Sequence, residues 1–390
     1  MNHKLITHAK QDIDKLDIEA VVKVLGSDFL TQGPTVPAFE SAISAICKSK
    51  YVIATNSATN ALHIACLALD VGVGDCVWTS PNTFVASANC ILYCGATVDF
   101  VDIDPKTFNM SIEALSLKLA SAERDGCLPK VLIPVHFAGQ SCDMKAINQL
   151  ASRYGFKVIE DASHAIGGKY LNRPIGECIY SDICIFSFHP VKIITTAEGG
   201  AAATNSDAIA KKLRLLRSHG ITSTPNEMIS RPENEIWNYQ QVGLGFNYRM
   251  SELHAALGLS QLSRLDKFVS RRHEIAKFYD AAFEDLPLAT PYQHPDCFSS
   301  FHLYPIQLEL NKIKKTQRQI YEELIQNGII INLHYIPVYL QPYFENIGFK
   351  RGYCPVAENY FIRTLSIPMH TLLSNQDLYK VVNTMRRVLS

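Results

Sequence analysis

Lys192 lies in the stretch Ser187–Gly200, SFHPVKIITTAEGG, just past the apolar run Cys184–Phe188 and a turn at Pro190. No carboxylate stands at its usual salt-bridge spacings, and the nearest downstream acid is Glu198. Most lysines are solvated surface charges. One that is partly desolvated can lose its proton and attack a carbonyl. Three other stretches carry groups that suit such chemistry. Glu160–Ala165, EDASHA, offers two acids and a histidine, and one carboxylate could hold a ring nitrogen protonated. Asp161 could equally cap a helix. Asn56–His63, NSATNALH, opens a helix at Ser57–Thr59 with small residues, so amides and hydroxyls there suit a phosphate. Asn56 or Ser57 as a plain cap explains the same residues. Ser80–Asn89, SPNTFVASAN, places Phe84 at a strand-to-helix turn, where it could stack on a flat ring or pack in the core.

These stretches share a position, since each follows a short apolar run that reads as a strand. Tyr51–Ala54, Cys76–Thr79, Thr97–Val101, Val131–Val135 and Phe156–Ile159 read as strands, each followed by a helical segment or turn. The helices between them span Ser57–Leu69, Thr83–Tyr93, Ser111–Ala120 and Met144–Tyr154. That alternation predicts a mostly parallel sheet covered on both faces, an α/β fold. Ligands in such sheets bind beyond the carboxyl ends of the strands. Cys184–Phe188 and Gly200–Ala203 read as further strands of the sheet. Upstream, Asp12–Leu25 carries Ile13, Leu16, Val21, Val22 and Leu25 near helical spacing, with Gly26 to stop it. Val36, Phe39, Ile43 and Ile46 mark a second stripe.

The rhythm changes after Arg249. A long helix from Ser251 to about Phe283 leads into a Pro-rich stretch. Strands over His302–Leu308 and Ile329–Asn332 follow, with helices over Thr316–Asn327 and Gln376–Val388. The expected organisation is a large domain over 1–250, with an N-terminal arm over 1–30, and a smaller C-terminal α+β domain over 251–390.

Composition narrows the partners. The 390 residues carry 37 basic and 37 acidic side chains, a balance that argues against a nucleic-acid surface. The basic run Lys211–Gly220 reads as a solvated helix face. The N-terminus is polar, with no apolar core of a signal peptide, and no apolar run approaches the ~18 residues of a membrane span. Eleven scattered cysteines, with only Cys90 and Cys94 closely spaced, suit core packing in a reducing cytoplasm better than metal binding. No metal is expected.

Together the four strand ends offer a phosphate cradle, a stacking ring, an acid and a lysine. Those are the parts a pyridoxal-phosphate site requires. The motifs SDFLTQGP, NSATNALH, TFVASAN, EDASHA, SFHPVKIITTAEGG, GFNYRMSELHAALG and HYIPVYLQPYF occur in that order over nearly the whole chain. In this the chain resembles the DegT/DnrJ/EryC/StrS sugar-nucleotide aminotransferases, which have the aspartate-aminotransferase-like fold (fold type I). Within the family, SFHPVK and SDFLTQGP look most like the transaminases of pseudaminic acid biosynthesis. That resemblance implies transfer of an amino group from L-glutamate to C4 of a UDP-linked 4-keto-6-deoxy-N-acetylaltrosamine. The alternative acceptors are other UDP- or dTDP-linked 4-keto-6-deoxyhexoses, of bacillosamine, perosamine or fucosamine type.

The resemblance also implies roles. Lys192 would join pyridoxal phosphate covalently and shuttle a proton, while Asp161 would pair with the pyridinium nitrogen. Phe84 would stack on the ring, and His164 would lie near its phenolate oxygen. Ala58, Thr59 and Ser187 would hold the phosphate. Asn247 would reach a phosphate in a partner subunit, implying a homodimer with shared sites. Ala58, Ser187 and Asn247 would also meet substrate. His8, Asp28, Phe29, Leu30, Thr31, His334, Tyr335, Ile336 and Pro337 match sugar-nucleotide contacts. Two departures bear on the choice of sugar: related transaminases often have tyrosine where His8 falls and proline where Ile193 stands.

Three other classes match these residues less well. A sugar dehydratase of this fold has histidine in place of the lysine. A nicotinamide dehydrogenase wants G-x-G-x-x-G after the first strand, where NSATNA has no glycine. A non-catalytic relative would have lost Lys192 or Asp161.

Overall fold

Runs of β-branched and small apolar residues supply a seven-stranded sheet at the centre of the computed structural model, which describes residues 5–232, 234–236 and 238–390. Its strands are β1 (Tyr51–Thr55), β2 (Cys76–Thr79), β3 (Thr97–Phe100), β4 (Val131–Ile133), β5 (Lys157–Asp161), β6 (Ile183–Ser187) and β7 (Gly200–Thr204). Their spatial order is β1-β7-β6-β5-β4-β2-β3. Strands β3, β2, β4, β5 and β6 run parallel. Every residue of β4, β6 and β7 is buried, as a sheet covered on both faces requires.

The strand expected at Gly200–Ala203 belongs to this sheet but runs antiparallel to both β1 and β6. The connection from β6 is a hairpin, with Ser187 opposite Gly200, and a hairpin reverses the chain where a crossover would not. Small side chains, GAAAT, let helix α3 (Ala58–Ala68) approach β7 closely. A Cβ on Gly200 would lie 2.4 Å from the Ala58 amide nitrogen.

Other helices begin where polar caps stand. Ser57, Ser111, Asp143 and Ser206 each accept a first-turn amide. Helix α4 (Ala86–Tyr93) starts three residues later than its pattern predicted, because residues 83–85 form the turn that presents Phe84. The single long helix expected after Ser251 is two, α8 (Glu252–Leu262) and α9 (Leu265–Ala282).

Residues beyond α9 build a three-stranded antiparallel sheet, Leu288–Ala289, Tyr304–Leu308 and Thr364–Ile367, with its own apolar cluster around Tyr279, Ile306 and Val381. No strand forms at Ile329–Asn332. That segment makes only single bridges, from Ile329 to Ile6 and from Asn332 to Ser366, so it bends past the sheet instead of joining it.

Helix α1 (Lys15–Leu25) departs from its pattern. Leu16, Val22 and Leu25, which stand near helical spacing, are more than half exposed. What anchors α1 is polar. Fully buried Asp17 accepts from Ser260 Oγ at 2.6 Å and Gln261 Nε2 at 2.6 Å, and it pairs with Arg264. A buried carboxylate needs such partners, and losing it strands theirs. Asp17→Ala should therefore cost about 3 kcal/mol and lower the thermal midpoint by several degrees, read by differential scanning calorimetry.

Candidate active site

The carboxyl ends of β1, β2, β4, β5 and β6 open on one cavity of about 610 Å3. β5 delivers Asp161 to its floor. Asp161 Oδ2 accepts from Ser87 Oγ at 2.6 Å, and Ser87 Oγ in turn lies 2.8 Å from Thr83 Oγ1. The amide of Ser163 donates to Asp161 Oδ1 at 3.1 Å. Strand alternation sends the neighbouring Glu160 to the other face. There Glu160 meets His136 Nε2 at 2.7 Å and the Ser181 hydroxyl. The Cys142 amide donates to His136 Nδ1, so the imidazole proton sits on Nε2 and is given to Glu160. Of the two acids in EDASHA, only Asp161 faces the cavity.

Lys192 stands in the hairpin loop between β6 and β7. Buried Phe188 closes the loop, donating its amide to Gly199 and accepting from the Thr196 amide and the Thr195 hydroxyl. Ile193 and Ile194 are buried beneath it, and the Lys192 amide bonds back to His189. Among the described residues, no carboxylate comes within ion-pair distance of the Lys192 amine. Burial pushes its pKa down from 10.5 to about 8, against the opposing pull of Asp161.

Other predicted residues converge here. Ser57, Ala58 and Thr59 bring the N-terminus of α3 to the wall beside Ser187. The first-turn amides of Ala58 and Thr59 have no helical acceptor, so they remain for an anion. Phe84 is 59% exposed on the cavity wall, which disposes of the core-packing reading. His164 is held neutral by burial and by the charge of Lys192. Its Nε2 lies 3.2 Å from the Tyr335 hydroxyl, while its Nδ1 is buried without a partner. Burial and Asp161 raise the Tyr335 pKa, so its hydroxyl stays protonated and can donate to Nε2. The His164 proton then falls on Nδ1, as an unused donor. His8, His334 and Ile336 complete this side of the cavity.

Several predicted residues lie elsewhere. Pro337 is buried and does not line the cavity. Asp28, Phe29, Leu30 and Thr31 are exposed beyond the end of α1, and Asp28 and Phe29 border a separate groove against α8. Asn247 is exposed, bridged to Ser218, and does not reach the cavity of its own chain. Ser87 and Asn332 line the cavity and were not anticipated. Ser87 stands four residues after Thr83, one turn along the helix that the pattern predicts from Thr83, and that spacing was the signal for it. Nothing local marked Asn332.

Residues 11–386 match the DegT/DnrJ/EryC1/StrS aminotransferase family. The chain belongs to that family. The chain is 39% identical over 379 residues to the spore coat polysaccharide biosynthesis protein SpsC of Bacillus subtilis, covering 96% of this chain and 95% of SpsC. It is 37% identical over 388 residues to the UDP-4-amino-4,6-dideoxy-N-acetyl-beta-L-altrosamine transaminase of Campylobacter jejuni, covering 99% and 98%. Among solved structures, the PseC aminotransferase of Helicobacter pylori, involved in pseudoaminic acid biosynthesis, superposes with TM-score 0.89 at 30% identity over 99% of both chains. Spr1654 of Streptococcus pneumoniae, in its PLP form, gives TM-score 0.87 at 29% identity, over 99% and 100%. This DegT-family chain is a pyridoxal-phosphate-dependent sugar aminotransferase.

The residues present fit the cofactor. Asp161 with its carboxylate, His164 with an orphaned buried imidazole nitrogen, Ala58 and Thr59 with free helix-end amides, and Lys192 with a desolvated amine line one cavity. Two outcomes follow. Gly200→Ala pushes a Cβ into the Ala58 backbone, so α3 must shift and pyridoxal-phosphate retention should weaken at least tenfold, measured by fluorescence titration of the apo protein. Because the Lys192 pKa is lowered, its amine is neutral above about pH 8 and protonated below. The rate of covalent cofactor uptake should therefore rise with pH and level off above 8. An inflection near 10 would contradict the desolvated lysine.

Proposed function

We propose that the protein transfers the amino group of L-glutamate to C4 of a UDP-linked 4-keto-6-deoxy-N-acetylhexosamine of altrosamine type, within pseudaminic acid biosynthesis. The observation that carries the reading is the placement of partnerless Lys192 and hydrogen-bonded Asp161 on one cavity. The near full-length likeness to an altrosamine transaminase supports the choice of sugar. Bound pyridoxal phosphate supplies an electron-withdrawing ring and an aldehyde that carries the amino group from donor to acceptor.

The chain's own residues do the rest. Ala58, Thr59 and Ser187 would hold the phosphate at the N-terminus of α3. Asp161, steadied by Ser87 and Ser163, would keep the ring nitrogen protonated. Phe84 would cover the ring face, and His164 would give its Nδ1–H to the ring oxygen. Lys192 would hold the aldehyde carbon until the donor's amine displaces it, and the amine so freed would take a proton from the donor's Cα and give it back at the aldehyde carbon. Its lowered pKa suits both directions of that transfer near neutral pH.

The second acceptor class is another nucleotide-linked 4-keto-6-deoxyhexose, and the chain is also 39% identical to SpsC, a protein of spore coat polysaccharide biosynthesis. The dehydratase alternative would need a histidine at position 192, where lysine stands.

A homodimer with shared sites completes the reading. Leu16, Ile18, Val22, Leu25 and Phe29 expose an apolar face along α1, and Ile229 and Leu244 expose another. We assign these faces to a second copy of the chain. Asn247 and the Asp28–Thr31 turn, which miss their own cavity, would then serve the neighbour's. Residues 1–250 form the cofactor-binding unit in this reading, and 251–390 the unit that closes over it. A nucleotide-sugar substrate and eleven free cysteines suit the cytoplasm.

Adding L-glutamate to the holoenzyme should bleach the visible cofactor band into the near ultraviolet. A UDP-linked 4-keto-6-deoxy-N-acetylhexosamine should restore it and yield a 4-amino sugar by mass spectrometry. Restoration by dTDP-linked sugars alone would move the assignment to the second class. Lys192→Ala should keep its circular dichroism, lose the adduct mass trapped by borohydride, and lose roughly a thousandfold or more in turnover. Normal turnover in that variant would remove Lys192 from the mechanism.

A further inference from the structure

Asn332 sits on the cavity wall within a closed ring of hydrogen bonds. Its backbone N–H donates to Ser366 O at 3.1 Å, and its own carbonyl accepts from Ser366 N at 2.8 Å. Ser366 Oγ lies 2.8 Å from His334 Nδ1, and His334 Nε2 lies 3.3 Å from Asn332 Nδ2. The Leu333 amide donates to Asn332 Oδ1 at 2.8 Å, which fixes the amide orientation, since a flipped amide would set donor against donor. Asn332 Nδ2 must then donate to His334 Nε2. The imidazole proton is forced onto Nδ1 and given to Ser366. Burial, first, and then the charges of His8 and Lys192 push the His334 pKa down to about 3, so the ring stays neutral in this tautomer.

One N–H of the Asn332 amide is spent on His334, and its oxygen is spent on Leu333. The second N–H is left over, on a residue that lines the cavity. The wall around it, residues 332–336 with Gln341, carries no formal charge. The charged lining groups, Lys192, Asp161 and Glu198, come from other segments. A side-chain amide N–H can serve a hydroxyl or acetamido oxygen, and this wall supplies no cation to draw a diphosphate.

We propose that Asn332 is a specificity-determining residue. Its free N–H donates to an oxygen of the hexose, and His334 is the positioning residue that aims it. The inference rests on the nucleotide-sugar reading above and deepens it.

The test is equilibrium binding to the holoenzyme by titration calorimetry, with UDP-N-acetylglucosamine and UDP as probes. Asn332→Ala should weaken UDP-N-acetylglucosamine roughly five- to tenfold, the worth of one neutral hydrogen bond. It should leave UDP within twofold of the parent. Asn332→Leu is close in size and adds no charge but has no N–H to give, so it should show the same selective loss. Cofactor absorbance and the thermal midpoint verify that both variants are folded. Unchanged UDP-N-acetylglucosamine binding in both, or equal losses for the two probes, would overturn the proposal. No turnover enters this comparison. A protein that binds the sugar nucleotide selectively yet ignores glutamate would count against transamination and leave Asn332 in its role.

Discussion

The desolvation of one amine organises the site. An ammonium group deep in a protein is costly unless paired, and Lys192 has no carboxylate within ion-pair reach among the described residues. The chain meets that cost by fastening the loop around it. Phe188 bonds across to Gly199, Thr195 and Thr196, and two isoleucines are packed beneath. The rigidity comes from apolar burial and backbone hydrogen bonds, so the amine remains uncommitted.

Asp161 is treated in the opposite way. Both of its carboxylate oxygens accept hydrogen bonds, from Ser87 and from the Ser163 amide. Those bonds orient the charge without neutralising it, and hydroxyl donors cannot compete with a cation for it. The adjacent Glu160 is satisfied on the far side of the strand by His136 and Ser181. Two neighbouring acids thus belong to separate networks, divided by the pleat of β5.

Most of this frame was legible in the chain. The parallel strands, their crossover helices and the residues at four strand ends follow from patterns that local physics enforces. Other features were not. Antiparallel β7 depends on which strand Gly200 pairs with, and the run GAAAT reads alike in either direction. The exposure of Leu16, Val22 and Leu25 was invisible because helical spacing shows that a face is apolar, not what covers it. Asp17, the residue that holds α1, stands in a polar stretch, and its partners Ser260, Gln261 and Arg264 lie more than 240 positions away. Residues 329–332 have strand composition but find only single partners. Ser87 and Asn332 gained their places from tertiary contacts with Asp161 and Ser366, residues 74 and 34 positions away.

The close approach of β7 to α3 has one more consequence. Gly200 is opposite Thr55 on one side and Ser187 on the other, and it has no room for a methyl group against Ala58. A single strand end therefore sets the span between the helix terminus at Ala58 and the loop that carries the amine. That span is a backbone dimension, which side-chain rotation cannot adjust. The site acts as a gauge of length, and a cofactor analogue with one methylene added to or removed from its phosphate arm could meet one anchor only by missing the other.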